Sequence, residues 1–104
     1  MLHLTAEDFD TTIASWVVMV DFYADWCGPC QILGKLMPHL ANKYEWRAVV
    51  AKVDTDTQKY LAWTYNIMSL PTVIVFKDGQ EVEKMKWLLP PETYSEVLDK
   101  WLNS

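Results

Sequence analysis

The stretch VDFYADWCGPC, residues 20–30, holds both cysteines of the chain and restricts its fold more than any other feature. Residues 17–24 form a short apolar run rich in β-branched side chains, which predicts a strand buried on both faces. A helix is predicted to begin around Cys27–Pro29, because proline is tolerated in a first helical turn, where its missing N–H would have no partner. In the predicted fold, a buried strand is therefore followed directly by a helix that begins at the two cysteines.

The rest of the chain alternates helices and strands and then forms a hairpin. The predicted elements are a helix from Thr5, a strand at 17–24, a helix from about 27, a strand at 48–53, a helix at 58–65, strands at 72–76 and 82–87, and a helix at 91–102. Apolar residues at helical spacing mark two inner faces: Phe9, Ile13 and Trp16, then Ile32, Leu33, Leu36, Leu40 and Tyr44. Asp78-Gly79 is a favoured hairpin turn. This order predicts an α/β fold, a mixed sheet with helices on both faces.

Length and charge exclude several classes of protein. A chain of 104 residues fits one domain, 1–104. The net charge is -5 and no basic cluster exists, which argues against a nucleic-acid or anionic-membrane partner. No apolar run approaches a membrane span, and the N-terminus MLHLTAEDFD lacks the charged start and apolar stretch of a signal peptide. We therefore expect a cytoplasmic protein. Both cysteines lie in one local motif, which indicates a reducing compartment rather than a disulfide framework. We also expect a monomer.

Cys27 and Cys30 are compatible with four kinds of site. A zinc site would need more ligands than the chain offers, since His39 lies on the same helix as Cys30, about 13 Å further along its axis. A c-type haem attachment needs a histidine after the second cysteine, where this chain has Gln31. A purely structural disulfide over so small a loop would contribute roughly 2 kcal/mol before strain is subtracted. A redox-active dithiol is favoured, and no metal is expected.

The position of the two cysteines assigns them different roles. Cys27 lies at the helix N-terminus, where free N–H groups and the helix dipole stabilise a thiolate, so Cys27 is the predicted nucleophile. Cys30 lies one turn further in and is the predicted resolving thiol. Gly28 has no side chain to obstruct a partner, and Pro29 stiffens the turn. These residues predict thiol–disulfide exchange with another molecule.

The motif WCGPC at 26–30, with Asp21 upstream and SLPTV at 69–73 downstream, resembles thioredoxin. The similarity extends over nearly the whole chain, from HLTAEDFD through AKVDTD and MSLPTVIVFKDGQ to the last helix. It implies the thioredoxin fold, with a mixed sheet of about five strands and helices on both faces. It also implies the reduction of disulfides in other proteins, with no bound cofactor and with electrons from a thioredoxin reductase that uses NADPH.

Asp21 is a carboxyl group inside the apolar run VVMVDFYA, where burial should raise its pKa. The resemblance implies that Asp21 lies behind the dithiol and exchanges a proton with Cys30. The alternatives are a carboxylate that reaches solvent or one that pairs with a lysine. Lys52 matches the lysine that neighbours this aspartate in similar proteins, although it could equally be a surface residue whose stem packs on the sheet.

Further residues are implied to bind substrate. By resemblance, the bond before Pro71 is cis, Pro71 faces the dithiol, and the backbone of Leu70 offers strand-like hydrogen bonds to a substrate segment. Trp26, immediately before the nucleophile, is expected on the partner-facing surface. The other tryptophans Trp16, Trp46, Trp63 and Trp101 are expected to pack in the interior.

Two positions depart from the pattern of similar proteins. Lys35 replaces a proline that usually kinks the active-site helix, and Pro38 follows one turn later, so any kink should move. Trp87 replaces a glycine on the substrate-receiving surface. We expect Trp87 at the rim of the substrate groove, where it would narrow the range of partners, although burial over the hairpin is the alternative.

Two other functions remain compatible with these residues. One keeps the dithiol chemistry but reverses its direction, as in a thiol oxidant or isomerase. The other is a redox-inactive or specialised binding subunit that uses the fold as a platform. The sequence Gly-Pro between the cysteines and the absence of a signal favour the reductant.

Overall fold

The computed structural model describes all residues, Met1–Ser104, as five strands and four helices. In chain order these are β1 (Leu2–His3), α1 (Phe9–Ile13), β2 (Val17–Tyr23), α2 (Gly28–Lys43), β3 (Val49–Asp54), α3 (Lys59–Thr64), β4 (Thr72–Lys77), β5 (Gln80–Lys86) and α4 (Pro91–Leu102). The strands form one sheet in the order β1-β3-β2-β4-β5. This five-stranded mixed sheet with its helices agrees with the fold that the resemblance implies.

Strand β2 lies at the centre of the sheet and ends beside the dithiol. It is parallel to β3 and antiparallel to β4, so both of its edges are hydrogen-bonded. Its residues Val17–Phe22 are all buried, which explains why this segment reads as a continuous apolar run rather than an alternating one. Cys27 and α2 follow the carboxyl end of β2, so the central strand fixes their position at that end of the sheet.

Successive side chains of β2 contribute to two separate cores, one on each face of the sheet. Val17 and Met19 pack in a core that includes side chains of α2 and α4. Val18, Val20 and Phe22 pack in a second core that includes side chains of α1 and α3. The helices therefore cover both faces, as predicted.

Several predicted elements differ in detail from the observed ones. Strand β1 was not predicted, because two exposed residues carry no periodic pattern, yet Leu2 and His3 pair in parallel with Ala51 and Lys52. Helix α1 begins at Phe9 rather than at Thr5, and residues 6–8 before it form a turn in which the Asp8 carboxylate accepts the Thr5 N–H at 2.7 Å.

The predicted burial of three tryptophans is wrong. Trp16 and Trp46 lie in turns with positive φ before β2 and β3 and are 54% and 84% exposed, and Trp63 is 81% exposed on α3. Only Trp101 packs against a core, and its indole N–H is bonded to Glu83. The expectation that apolar side chains are buried fails where a turn or an outer helical face directs them to solvent.

Helix α2 runs without interruption from Gly28 to Lys43 and contains both Lys35 and Pro38. Its buried stripe is Leu33, Met37, Leu40 and the following Tyr44. Ile32 lies off this stripe and is 60% exposed, contrary to prediction. No helix of the structure is long and apolar enough to cross a membrane.

The hairpin between β4 and β5 turns at Asp78 and Gly79, as the sequence predicts. Both residues have positive φ, 49° and 84°, which is the geometry of the tight turns that favour Asp-Gly. The strands pair from Lys77 with Gln80 up to Thr72 with Lys86, with one irregularity at Val75 and Phe76. The far end of this hairpin brings Trp87 to the edge of the sheet where the dithiol lies.

Candidate active site

Cys27 is the N-cap residue of α2, and its sulfur is the acceptor that caps the helix. The sulfur accepts a hydrogen bond from the backbone N–H of Cys30 at 3.3 Å. Cys27 and Cys30 are joined as a disulfide, and the exposed fractions of the two residues are 6% and 3%. When the bond is reduced, an N–H donor and the positive end of the helix dipole stabilise a thiolate at Cys27.

Two hydrogen bonds, one from Trp26 and one to the preceding residue, hold the loop between β2 and α2. The indole N–H of Trp26 donates a hydrogen bond to the Asp56 carboxylate at 2.9 Å, although the residue is 72% exposed. The side-chain amide of Gln31 donates a hydrogen bond to the carbonyl of Asp25 at 3.0 Å. The expected surface position of Trp26 is therefore observed, and its ring is oriented by a specific acceptor.

The segment before β4 lies against the dithiol. The Leu70–Pro71 bond is cis, as the resemblance implies, and Leu70 packs against the small core cluster that contains both cysteines. The carbonyl of Pro71 accepts the backbone N–H of Trp87 at 3.0 Å. The backbone N–H and carbonyl of Leu70 make no hydrogen bond within the protein. They are free to pair with another chain.

Leu70 and Cys27 belong to an open groove of about 440 Å³. Its other lining residues are Trp26, Thr55, Ile67, Met68, Ser69 and Trp87. Trp87 is 63% exposed and Met68 is 80% exposed. The rim position expected for Trp87 is thus the one observed, and the alternative of burial over the hairpin is not.

Comparison with known proteins identifies the family. The thioredoxin family model matches residues 1–100. Thioredoxins of two Staphylococcus aureus strains, Mu50 and MW2, are each 45% identical over 102 residues, which is 98% of this chain and 98% of each relative. The structure of a mutant thioredoxin from Halobacterium salinarum superposes with a TM-score of 0.90 at 34% identity, covering 97% of this chain and 89% of that one.

The chain belongs to the thioredoxin family. It is a thiol–disulfide oxidoreductase, a protein-disulfide reductase of the thioredoxin type, and its Cys27–Cys30 pair is the close cysteine pair that this chemistry needs. Its substrates are proteins that contain disulfide bonds.

Asp21 is a buried carboxyl group with no partner. It is 1% exposed, and neither of its carboxyl oxygens has a hydrogen-bond partner. Burial raises the pKa of the Asp21 carboxyl from 3.8 to about 7, and the positive charge of Lys52 opposes the rise only in part. The expectation from the apolar sequence context is met, because desolvation disfavours the charged form. At neutral pH this thioredoxin carries a carboxyl group that readily gains or loses a proton.

A second open cavity of about 470 Å³ reaches Cys30 instead of Cys27. It is lined by Tyr23, Ala24, Asp25, Cys30, Gln31, Gly34, Lys35 and Lys52. Lys52 is half-buried, and its ammonium lies 4.3 Å from the centre of the Tyr23 ring. The ammonium of Lys52 thus lies over an aromatic ring, and its charge still lowers the pKa of Asp21.

The other predicted site residues take simple positions. Gly28 and Pro29 are exposed in the first turn of α2, and a Cβ added to Gly28 would meet no atom within 4 Å. Two further residues belong to the site that the sequence does not predict: Met68, which directly precedes SLPTV, and Asp56, which orients Trp26. The sequence carries no signal for Met68, because its exposure and its place in the groove appear only in the folded chain. No local signal relates Asp56 to Trp26, because the contact joins two separate loops.

Proposed function

We propose that this thioredoxin acts as a reductant in which Cys27 attacks substrate disulfides and Cys30 resolves the product. The observation that carries the proposal is the Cys27 sulfur at the N-cap of α2, where it accepts the N–H of Cys30. Only the thiolate is nucleophilic, and this position stabilises the thiolate. Cys30 lies within the first turn of the helix and is less exposed than Cys27.

In the first step, the Cys27 thiolate attacks one sulfur of a substrate disulfide. A bond forms between Cys27 and that sulfur, the substrate S–S bond breaks, and the other substrate sulfur leaves as a thiolate that takes up a proton. In the second step, the Cys30 thiolate attacks the Cys27 sulfur and releases the second substrate thiolate. The substrate gains two electrons and two protons, and the Cys27–Cys30 dithiol is oxidised to the disulfide.

Asp21 is proposed to accept the proton of Cys30 before the second step. A general base works best when its pKa lies near the operating pH, and the pKa of Asp21 is about 7. Neither of its oxygens is held by another donor, so both are free to receive a proton. Lys52 is proposed to support this role by its charge, which counteracts part of the burial effect.

The substrate segment is proposed to bind in extended conformation along Leu70. Its free backbone N–H and carbonyl supply the donor and acceptor that a strand-like pairing requires. Trp26, Gly28, Pro29, Pro71 and Trp87 are proposed to complete the contact surface around Cys27. Such backbone recognition is compatible with many sequences, which suits a reductant with several protein substrates.

Regeneration of the dithiol needs two electrons and two protons from another protein. We propose a thioredoxin reductase that draws them from NADPH, with no cofactor bound to this chain. A cytoplasmic location and a monomeric state accord with that role.

The test is insulin reduction, measured once with dithiothreitol as electron donor and once with a thioredoxin reductase and NADPH. We expect turnover with both donors, and none after serine replaces both Cys27 and Cys30. Turnover that survives this double substitution would contradict the proposal. Turnover with dithiothreitol but not with the reductase and NADPH would support the thiol–disulfide exchange and would contradict the proposed electron donor. A redox titration checks the direction, because a thiol oxidant or isomerase has a potential well above the cytosolic range.

A further inference from the structure

Trp87 adopts a backbone conformation that disfavours its side chain. Its φ is 68°, in the left-handed region where a Cβ crowds the backbone and where glycine is the favoured residue. The residue is 63% exposed, so burial in a core does not offset the strain. A strained bulky residue beside reactive groups is characteristic of functional sites.

The position of Trp87 distinguishes it from the other tryptophans with positive φ. Trp16 and Trp46 have φ values of 72° and 69°, but they precede β2 and β3. These strands are parallel, so both residues lie at the edge of the sheet opposite to Cys27, which follows the end of β2. Trp87 alone among them lines the groove of Cys27. Trp46 is therefore a matched control for the effects of exposure and backbone strain.

The groove offers apolar surface and free backbone groups, and its one ionisable lining residue is the reacting Cys27. Trp26, Met68 and Trp87 are each more than 60% exposed and share this groove, and no Asp, Glu, Lys, Arg or His lines it. The indole N–H of Trp26 is already bonded to Asp56. Isolated exposed apolar side chains are normal, but a contiguous group of them marks an interaction site. A side chain that enters this groove must therefore be apolar to gain from it.

The geometry of an extended substrate fixes which of its residues enters. In a strand, successive side chains point to opposite sides, so residues two positions apart face the same way. A substrate that pairs with Leu70 and directs its cysteine toward Cys27 directs the residues two positions away to the same side. The residues adjacent to the cysteine point away from the groove.

We propose that Trp87, together with Met68 and Trp26, forms an apolar subsite that selects disulfides with a bulky apolar residue two positions from the attacked cysteine. This inference rests on the proposed function, because it assumes attack by Cys27 on a segment paired with Leu70. The groove volume of about 440 Å³ lies in the common range of binding clefts, about 300–1,000 Å³. Trp87 is thus a specificity-determining residue of this thioredoxin.

The test uses two symmetric peptide disulfides of identical composition. One is the disulfide dimer of Phe-Ser-Cys-Ser-Phe, and the other is the dimer of Ser-Phe-Cys-Phe-Ser. Because each dimer is symmetric, attack on either sulfur gives the same product. The measured quantity is the second-order rate constant for reduction of each dimer by the pre-reduced protein. We expect the first dimer to react about tenfold faster with the wild-type protein, since an aromatic contact contributes about that factor.

Three variants relate this preference to the groove. Trp87→Gly should reduce the ratio of the two rate constants to near one by slowing the first dimer, and Met68→Ser should lower the ratio as an independent variant. Trp46→Gly removes a tryptophan of equal strain and greater exposure far from Cys27 and should keep the ratio. Circular dichroism melting verifies that each variant is folded.

The possible results separate the subsite from the proposed function. Equal rate constants for both dimers in the wild type would overturn the subsite, while their reduction would leave the proposed function intact. The subsite would also be overturned if the ratio of the two rate constants stayed the same in both Trp87→Gly and Met68→Ser. It would likewise be overturned if Trp87→Gly reduced the second dimer faster than the wild type does, because the ring would then obstruct the groove. Failure of the wild type to reduce either dimer would contradict the proposed function itself.

Discussion

Asp21 and Lys52 lie directly opposite each other in the register of β2 and β3, yet they do not form an ion pair. The one ion pair of the structure joins Lys100 and Glu83 at the surface. The ammonium of Lys52 instead lies over the Tyr23 ring, and the Asp21 carboxyl is left without a hydrogen-bond partner. Burial therefore dominates the protonation of Asp21, while Lys52 moderates it from a distance.

Replacement of Lys52 by methionine should raise the pKa of Asp21 further. Methionine keeps an apolar stem on the sheet but removes the charge that lowers the pKa of Asp21. The measurement is the titration of the Asp21 carboxyl carbon by NMR in wild type and variant. Lys84→Met is the control. Lys84 is also half-buried, but its ammonium donates a hydrogen bond to the carbonyl of Tyr65, so its replacement should leave the pKa of Asp21 unchanged. An unchanged pKa in Lys52→Met would contradict the electrostatic link.

Asp21→Asn should change the pH dependence of stability in a defined direction. The folded-state pKa of Asp21 is raised from 3.8 to about 7, so folding favours the protonated form. Wild-type stability is therefore unaffected by this group below about pH 4, decreases as pH rises toward 7, and levels off above the folded-state pKa. The rise in the pKa of Asp21 corresponds to a decrease of about 4 kcal/mol in the free energy of unfolding over this pH range.

The measurement is urea unfolding of wild type and Asp21→Asn at pH 4 and pH 8. Asparagine does not titrate, so the stability of the variant relative to wild type should increase by about 4 kcal/mol between the two pH values. A difference that does not change with pH would mean that Asp21 titrates alike in the folded and unfolded chain.

Asp21→Asn should also slow turnover near neutral pH. The amide cannot accept the proton of Cys30, so the second step of thiol–disulfide exchange loses its base. A loss of about 10²-fold in that step is in the usual range for general bases. Single-turnover kinetics with insulin measure the two steps separately. A normal second step in Asp21→Asn would remove Asp21 from the mechanism.

The sequence predicts those features that depend on local pattern or on motif. The strand before Cys27, the position of Cys27 at the start of α2 and the turn at Asp78–Gly79 all follow from apolar runs and turn chemistry. The raised pKa of Asp21 follows from its apolar neighbours. These features are set within a few residues, so one segment of chain contains the information.

Features that depend on a positive backbone φ or on contacts between distant segments could not be predicted. Tryptophan is expected inside, but Trp16 and Trp46 occupy left-handed turns that direct them outward. The β1 pairing and the bond from Trp26 to Asp56 join separate parts of the chain. The contribution of Met68 to the groove appears only when the segment before Pro71 is placed beside Cys27.

The central claim is that Cys27 attacks and Cys30 resolves. Cys27→Ser and Cys30→Ser are each reduced, incubated with insulin and analysed by non-reducing electrophoresis and mass spectrometry. Cys30→Ser retains attack and loses resolution, so it should accumulate a mixed disulfide through Cys27, whereas Cys27→Ser should form none and should not turn over. A stable adduct through Cys30 in Cys27→Ser, with none in Cys30→Ser, would contradict the account.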